Sequence, residues 1–379
     1  MCMAGANPRL IGPDFLRFVL ATIVVSAHAQ GFGDAGRVFF QTPGPLGKVL
    51  MLIPAAGWEA VDVFFVLSGF LVSGLLFKEA KEQGTVSIRR FLIRRGFKIY
   101  PAFWAMLAFT IASSLLNGGS IPWLAYFSEL LYFQNYGVSI CFHTWSLAVE
   151  EHFYFLLAGL FWFLKRRARA NQPINFNRIP DIFLALAVLC LVSRFVTWVV
   201  INSAMMGNIH WFMHADLALL DALFFGVMLS HFWHNRWNDR TKQRLARWRW
   251  AFAVLGLALL LPGVTDVMDI QWFRIFGFTL AYLGAGSLLL SCLAFDYIRY
   301  PVFVGWLAWL GKHSYSVYLW HPAVGGFLFP WVSLKLNTWP GWALDTLIYF
   351  ALCWLVGILM ARLLEFPLLR IRNRIFPGY

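Results

Sequence analysis

The chain has 379 residues, of which 60% are hydrophobic and only 13% are charged, and its formal net charge is +13. Soluble domains are about 45–50% apolar and about 25% charged, so this composition excludes a soluble globular protein. The apolar residues fall in blocks of about twenty, each long enough to cross about 30 Å of hydrocarbon as a helix. The sequence therefore predicts an all-α, polytopic transmembrane bundle.

Ten spans are predicted, with the N- and C-termini in the cytoplasm. The cytoplasmic segments then carry 26 of the 31 Lys and Arg residues, as the positive-inside rule requires, so the charge is mainly an orientation signal and not a nucleic-acid site. We expect one membrane domain over 1–379, with no separate soluble domain, in the plasma (bacterial inner) membrane. The spans lie at about 14–33, 58–78, 99–117, 145–164, 181–202, 214–234, 250–268, 273–295, 314–334 and 342–364.

Two segments are ambiguous. The aromatic segment 121–136, with Glu129 at its centre, favours an interfacial or re-entrant helix over an eleventh span. Residues 15–27, followed by small residues, also fit a signal peptide, although Asp14 and Arg17 argue against cleavage. The five cysteines are scattered without a CxxC or His/Cys cluster, so neither a disulfide framework nor a metal site is expected.

Ionisable side chains inside spans are functional candidates because hydrocarbon disfavours them. In the first span, Arg17 and His28 are eleven positions apart, which is three helical turns plus about 20° of rotation. The two side chains therefore lie on the same helix face, about 16 Å apart along the helix axis. This face can present a cation at the cytoplasmic side and an imidazole towards the outside. Snorkelling of Arg17 and a packing hydrogen bond at His28 explain the pair equally well. The full set is Arg17, His28, Asp62, Glu150, Glu151, His152, Asp216, Asp221 and His321.

Carboxylates lie near the predicted external ends of two other spans. Asp62, in the second span, is expected at the same depth in the membrane as His28. There it can orient the imidazole or bind a polar substrate. The simpler alternative is that Asp62 is a solvated carboxylate at a helix end. In the fourth span Ser146, Glu150 and Tyr154 recur every four residues and share a face, whereas Glu151 points about 100° away. This pattern favours hydrogen bonding or acid/base work at Glu150.

The second and ninth spans carry small and polar residues at helical spacing. Gly69 and Ser73 form a small-residue face that favours close helix packing. Ser314, Tyr318 and His321 fall on a face that can line a cavity.

A basic segment, 78–98, precedes the third span. Its residues Arg90, Arg94 and Arg95 lie close together on a helix. Guanidinium groups at a membrane edge suit bidentate phosphate binding, but the positive-inside rule alone also predicts charge here.

Taken together, these residues resemble the acyltransferase 3 family of integral-membrane acyltransferases. Six similar elements occur across essentially the whole chain, in the same order as in the family. Because all six are present in that order, the pattern is specific. Departures at Phe18, Ala60 and Lys98 are packing or like-charge changes. The elements are Arg17 and His28, VDVFFVLSGFL at 61–71, RRGFKIYP at 94–101, WSLAVE at 145–150, HSYSVYLWH at 313–321 and EFP at 365–367.

The resemblance implies transfer of an acyl group, most often acetyl, from cytoplasmic acyl-CoA to a hydroxyl of an extracytoplasmic or lipid-linked carbohydrate. It implies no permanently bound cofactor, and nothing indicates an oligomer. The expected catalytic residues are His28, Arg17, Glu150 and Asp62. The expected acyl-CoA contacts are Arg94, Arg95, Arg90, Lys98 and Tyr100, and the expected substrate contacts are Trp145, Ser146, Ser314, Tyr315 and His321.

The chemistry agrees with this resemblance. An imidazole with a pKa near neutrality can serve as a general base or as a nucleophile that carries the acyl group, and Glu150 or Asp62 would orient it. We expect direct transfer, with an acyl-His28 intermediate as the second choice. A proton-coupled transporter or flippase of a glycan or lipid-linked substrate is the main alternative, because buried Asp, Glu and His can also relay protons.

Overall fold

The computed structural model describes residues 10–168, 172–204, 219–265, 273–297 and 300–377, and within these ranges every regular element is helical. The first half contains α1 Ile11–His28, α2 Arg37–Phe40, α3 Gly44–Ala55, α4 Gly57–Gln83, α5 Ile88–Leu116, α6 Trp123–Leu130, α7 Trp145–Arg167 and α8 Ile179–Ala204. The second half contains α9 Leu220–His231, α10 Asp239–Arg247, α11 Arg249–Val264, α12 Phe273–Leu293, α13 Val302–Gly311, α14 Ser314–Ala323, α15 Phe329–Val332, α16 Trp339–Met360 and α17 Phe366–Ile375.

The predicted all-α membrane class is confirmed. Among the described residues, seven helices are long and apolar enough to cross a membrane, or eight if α10 and α11, bent by 65°, form one span. Each of the ten predicted spans coincides with a helix, although α9 and α14 are short. The start of the predicted sixth span, with Asp216, lies outside the described residues. The number of crossings and the side of the termini stay predictions.

Two segments between predicted spans, 78–98 and 296–313, are largely helical in their described residues. In the basic segment 78–98, α4 continues to Gln83 and α5 begins at Ile88, where the Ser87 hydroxyl accepts a hydrogen bond from the Arg90 amide at 3.4 Å. Lys and Arg are good helix formers, so these helices extend beyond their apolar blocks. Segment 296–313 contains α13, which packs on α1. At ten residues α13 is only about 15 Å long, too short to give a span signal.

The ambiguous segment 121–136 contains only α6, whose eight residues rise about 12 Å and cannot cross the hydrocarbon. Its Glu129 is fully buried and accepts hydrogen bonds from the amides of Ile140 and Cys141, both at 2.9 Å, and from the Thr144 hydroxyl. Burial raises the pKa of Glu129, and these hydrogen bonds act in the opposite direction. The carboxyl group thereby fixes the chain just before α7.

Helix α4 lies at the centre of the bundle and is buried along most of its length. Its closest neighbour is α9: a Cβ atom added at Gly69 would overlap the carbonyl oxygen of Leu223, and one added at Gly226 would overlap that of Val66. The two backbones therefore approach as only glycine allows, which confirms the close helix packing predicted for Gly69.

Candidate active site

Helix α1 carries the first two candidate residues. It is continuous from Ile11 to His28, so Arg17 lies near its beginning and His28 at its last residue, as the predicted helical face requires. Arg17 pairs with Asp14 at 3.4 Å on the same helix. The two candidates therefore belong to different ends of the bundle.

His28 forms a histidine pair with His321 of α14. His28 Nδ1 lies 2.9 Å from His321 Nε2, and the two rings are stacked with centroids 4.9 Å apart. His321 is fully buried, and its Nδ1 lies 2.7 Å from the carbonyl oxygen of Tyr318. The expectation that Glu150 or Asp62 orients the imidazole is thus corrected: within the described residues, the side chain bonded to His28 is His321.

These partners assign the protons of the histidine pair. A carbonyl oxygen only accepts, so His321 Nδ1 carries a proton and donates it to Tyr318. In neutral His321 the Nε2 atom then accepts, and His28 Nδ1 donates to it. The proton-free nitrogen of His28 is therefore Nε2. An imidazole held in one tautomer in this way is arranged as a general base.

A cavity of about 490 Å³, here called the basic cavity, opens at the other end of α1. Six cationic and two carboxylate side chains line it, together with apolar side chains from α4 and α17. The cations outnumber the carboxylates, so the cavity suits an anionic ligand with an apolar portion. The charged lining residues are Arg17, Arg94, Arg95, Lys98, Lys312, Arg372, Glu150 and Glu365.

Several of these charges are held in place by neighbours. The Lys98 ammonium pairs with Glu365, a buried residue that also accepts from the Ser316 hydroxyl at 2.9 Å. Arg94 donates to the carbonyl oxygen of Phe376. The C-terminal helix α17 is thus tied to α5 across the cavity mouth.

The face predicted for the fourth span is present. Ser146, Glu150 and Tyr154 all line the basic cavity, and Glu151 does not. Tyr154 donates to Glu150 at 2.9 Å and lies 3.0 Å from the Ser68 hydroxyl. Glu150 belongs to the arginine-rich end of the site and not to the histidine pair.

Tyr318 separates the basic cavity from the histidine pair. Its side chain lines the cavity, its hydroxyl lies 2.7 Å from that of Ser146, and the same hydroxyl donates to the His143 carbonyl oxygen. Its ring centroid lies 6.0 Å from that of His321. The described lining does not include His28 or His321. Tyr318 is therefore the boundary between the two compartments.

Of the remaining predicted site residues, some line the basic cavity and others lie outside its described lining. Ser314 and Tyr315 line the basic cavity, and Tyr315 donates to the Ile99 carbonyl oxygen at 2.8 Å. Arg90 pairs with Glu79 at 2.6 Å and is not part of the described lining.

Three others also lie outside that lining. Tyr100 donates to Glu151 at 2.8 Å. Trp145 packs against Trp58, and Asp62 lies among the charges of Glu59, Arg194 and Asp221.

Four polar lining residues were not singled out as candidates by the sequence analysis: Ser68, Lys312, Glu365 and Arg372. Lys312 and Arg372 looked like ordinary cytoplasmic charges. Ser68 had a signal, because it stands in the VDVFFVLSGFL element of the family pattern. Glu365 had a signal, because it stands in the EFP element of the family pattern. In the described part of the chain, no three His, Cys, Asp or Glu side chains are arranged to hold a metal ion.

The fold and site together define a multi-pass helical membrane protein with a basic cavity beside a buried histidine pair. The chain belongs to the acyltransferase domain family known as acyltransferase 3, whose model matches residues 10–362.

Among similar proteins, Listeria monocytogenes OatA, a peptidoglycan O-acetyltransferase, is 23% identical over 338 residues, or 82% of this chain and 51% of OatA. Bacillus subtilis YrhL, a predicted peptidoglycan O-acetyltransferase, is 27% identical over 70% of this chain and 44% of YrhL. A predicted O-acetyltransferase of Staphylococcus aureus (strain COL) is 27% identical over 72% of this chain and 46% of its own length. The chain thus spans about half the length of these relatives. No solved structure matches it.

Proposed function

We propose that the protein transfers an acetyl group from acetyl-CoA to a hydroxyl of a carbohydrate outside the cytoplasm, with His28 as the general base. The observation that carries this proposal is the hydrogen-bond chain from the Tyr318 carbonyl through His321 to His28. It leaves Nε2 of His28 without a proton, and a base in that state can deprotonate an acceptor hydroxyl.

The proposed step is direct acyl transfer. The acceptor oxygen attacks the thioester carbonyl while its proton passes to His28 Nε2. The carbon–sulfur bond then breaks, and the CoA thiolate takes the proton from His28. During the reaction the imidazolium keeps its Nδ1–H bond to His321, which orients the ring as the third member of a triad does.

The basic cavity is the proposed donor site. CoA is anionic through its phosphates, and the guanidinium groups of Arg94, Arg95 and Arg372 line this cavity. Its apolar wall suits the pantetheine arm, which would pass Tyr318 to bring the thioester to His28. The predicted topology opens this cavity to the cytoplasm, where acyl-CoA is found, and places the protein in the bacterial inner membrane.

The proposed acceptor is a cell-surface glycan. The support is the activity of OatA, a peptidoglycan O-acetyltransferase, together with the location of His28 at the end of α1 opposite Arg17. Peptidoglycan is the first acceptor to test, and a lipid-linked glycan is the second.

The direct test compares cells that make the wild-type protein with cells that make His28→Ala. Mass spectrometry of base-labile esters on surface glycans should find acetyl increments only with the wild type, at equal membrane abundance of both proteins. Equal ester content in the two strains would refute the assignment. A stable acetyl-His28 adduct trapped with radiolabelled acetyl-CoA would replace direct transfer with a two-step mechanism.

A further inference from the structure

Two tryptophans form a stacked aromatic pair at the histidine end of the bundle. The ring centroids of Trp58, at the beginning of α4, and Trp145, at the beginning of α7, lie 5.2 Å apart at 35°. Trp58 is 37% exposed, and neither ring belongs to the described lining of the basic cavity. Trp58 can therefore be reached from outside the basic cavity, although Ser146, the neighbour of Trp145, lines that cavity.

The aromatic pair lies beside the proposed base. Gly57 packs so closely on Ala27 that an added Cβ would lie 2.5 Å from the Ala27 Cβ, and Ala27 is the neighbour of His28. On the other side, the ring of His143, two residues before Trp145, lies 5.4 Å from that of His321. Trp58 thus follows a residue that packs on the neighbour of His28, and Trp145 lies two residues from His143, whose ring packs on His321.

A carboxylate shares this surface. Trp58, Asp62 and Phe65 are spaced i, i+4 and i+7 on α4, which places them within about 60° of one helix face. Trp145 contacts the rings of both Trp58 and Phe65, at 5.2 and 6.2 Å, so its side chain spans the level of Asp62. Asp62 is nine-tenths buried. It does not orient His28, because the side chain bonded to His28 is that of His321.

We infer that Trp58, Trp145 and Asp62 form the acceptor subsite, which binds a pyranose ring and its hydroxyls. This inference rests on the proposed function and adds to it the residues that recognise the carbohydrate. The apolar C–H face of a pyranose packs against an indole ring, and a carboxylate accepts hydrogen bonds from sugar hydroxyls. A sugar seated here presents a hydroxyl to His28 from beside the basic cavity, whose described lining includes Phe65 and Ser146.

The simpler explanation is an aromatic belt, because tryptophans collect at membrane interfaces without binding a substrate. Trp331 provides the matched control. It is 88% exposed, it lies in the predicted external half of the ninth span, and it makes none of the contacts described for the aromatic pair. A belt role predicts similar consequences for Trp58 and Trp331, whereas an acceptor subsite predicts a difference between them.

The experiment measures steady-state transfer by purified full-length protein in lipid nanodiscs. Trp58→Ala, Trp145→Ala, Asp62→Asn and Trp331→Ala are compared with the wild type, and Trp58→Phe tests whether another aromatic ring restores function. The probes are acetyl-CoA and soluble glycan strands released from peptidoglycan, each varied separately. Thermal unfolding of every variant checks that it is folded.

We expect the first three variants to raise the KM for glycan strands about tenfold, with the KM for acetyl-CoA changed less than twofold. Trp58→Phe should recover most of the glycan affinity, and Trp331→Ala should change neither KM. An unchanged glycan KM in folded Trp58→Ala and Trp145→Ala, or an equal rise in both KM values, would overturn the subsite.

The wild type distinguishes failure of the subsite from failure of the proposed function. If the wild type hydrolyses acetyl-CoA but acetylates no glycan strand, the carbohydrate subsite is wrong and the proposed use of acetyl-CoA as donor stands. If it does neither, the proposed function itself fails.

Discussion

His28 and His321 are 293 positions apart in sequence, yet their ring nitrogens are 2.9 Å apart. The pair combines a partly buried imidazole, His28, with a fully buried one, His321, whose own Nδ1 proton is donated to a backbone carbonyl. This arrangement explains how an imidazole at a helix end can be fixed in one tautomer without a carboxylate beside it. The orientation of His28 therefore depends on α14 as much as on α1.

At the residue scale, the role of His321 is open to a graded test. His321→Ala removes the acceptor for the His28 Nδ1 proton, so we expect kcat to fall at least about tenfold with acetyl-CoA affinity unchanged. His321→Gln keeps a side-chain oxygen that can accept this proton, so it should recover part of the loss. Transfer kinetics and acetyl-CoA binding are the measurements. Equal activity of the alanine variant and the wild type would show that His321 only packs.

The arginines of α5 provide a second test with an internal control. Arg94 and Arg95 line the basic cavity, whereas Arg90 pairs with Glu79 and does not belong to the described lining. Replacing Arg94 and Arg95 by alanine should weaken acetyl-CoA binding at least about tenfold, since each change removes a guanidinium group that the proposed donor site places against phosphate. Arg90→Ala should change binding less than threefold. Isothermal titration at two salt concentrations measures both, and equal losses at the three positions would contradict the assignment.

Residue patterns on single helices were predictable, and contacts between helices were not. The shared face of Ser146, Glu150 and Tyr154 follows from helical spacing and is present in the cavity wall. Spacing within one helix gives no information about which distant helix faces it. For this reason the sequence assigned Glu150 or Asp62 to His28 and did not find His321 in that position.

At the element scale, the short helix α6 and the turn of chain that follows it position the beginning of α7. Gln134 donates to the Thr144 carbonyl at 3.0 Å, and Asn135 donates to the Trp145 carbonyl at 3.0 Å. Together with the hydrogen bonds to Glu129, these contacts hold the backbone that carries His143 and Trp145. A segment that does not cross the membrane thereby shapes the histidine end of the site.

We predict that Glu129→Ala destabilises the protein by about 3 kcal/mol, because it leaves buried amide donors without an acceptor. The melting temperature in detergent should fall by several degrees. Glu82→Ala is the control, since Glu82 is exposed and pairs only across one helical turn with Lys78 at 3.7 Å. Equal melting temperatures for Glu129→Ala and Glu82→Ala would show that this carboxyl group is dispensable.

The elements that the sequence missed are the short ones. The apolar periodicity of about twenty residues indicates the long helices, but α13 and α3 have only ten and twelve residues. Such helices gain stability mainly from packing against their neighbours and leave a weak local signal. The family pattern did not mark them either.

At the scale of the whole molecule, the protein has two chemically different ends. Six cations converge on the basic cavity at one end, and the histidine pair and aromatic pair lie at the other, with Tyr318 between them. This separation fits the proposed function, in which the donor and the acceptor come from opposite sides of the membrane. The all-α class and most of the long helices could be predicted from the composition and the apolar blocks of the sequence. The cavity could not be predicted, because it forms only when α5, α14 and α17 pack together.

The orientation of these ends can be tested with single cysteines on either side of α5. In a background without native cysteines, we expect Ser120→Cys to react with an impermeant maleimide in intact cells. Gln83→Cys should react only after permeabilisation. Both positions are exposed in the structure. The reverse labelling pattern would place the basic cavity outside and contradict a cytoplasmic acyl-CoA donor.

The central claim is that His28 removes the proton from the acceptor hydroxyl. The most direct measurement is acetyl transfer by purified His28→Ala in nanodiscs, alongside the binding affinity of the same sample for acetyl-CoA. We predict that transfer falls about 10²–10⁴-fold, as expected for loss of a general base, while acetyl-CoA affinity stays within about twofold. Transfer by His28→Ala at a rate close to that of the wild type would contradict the account.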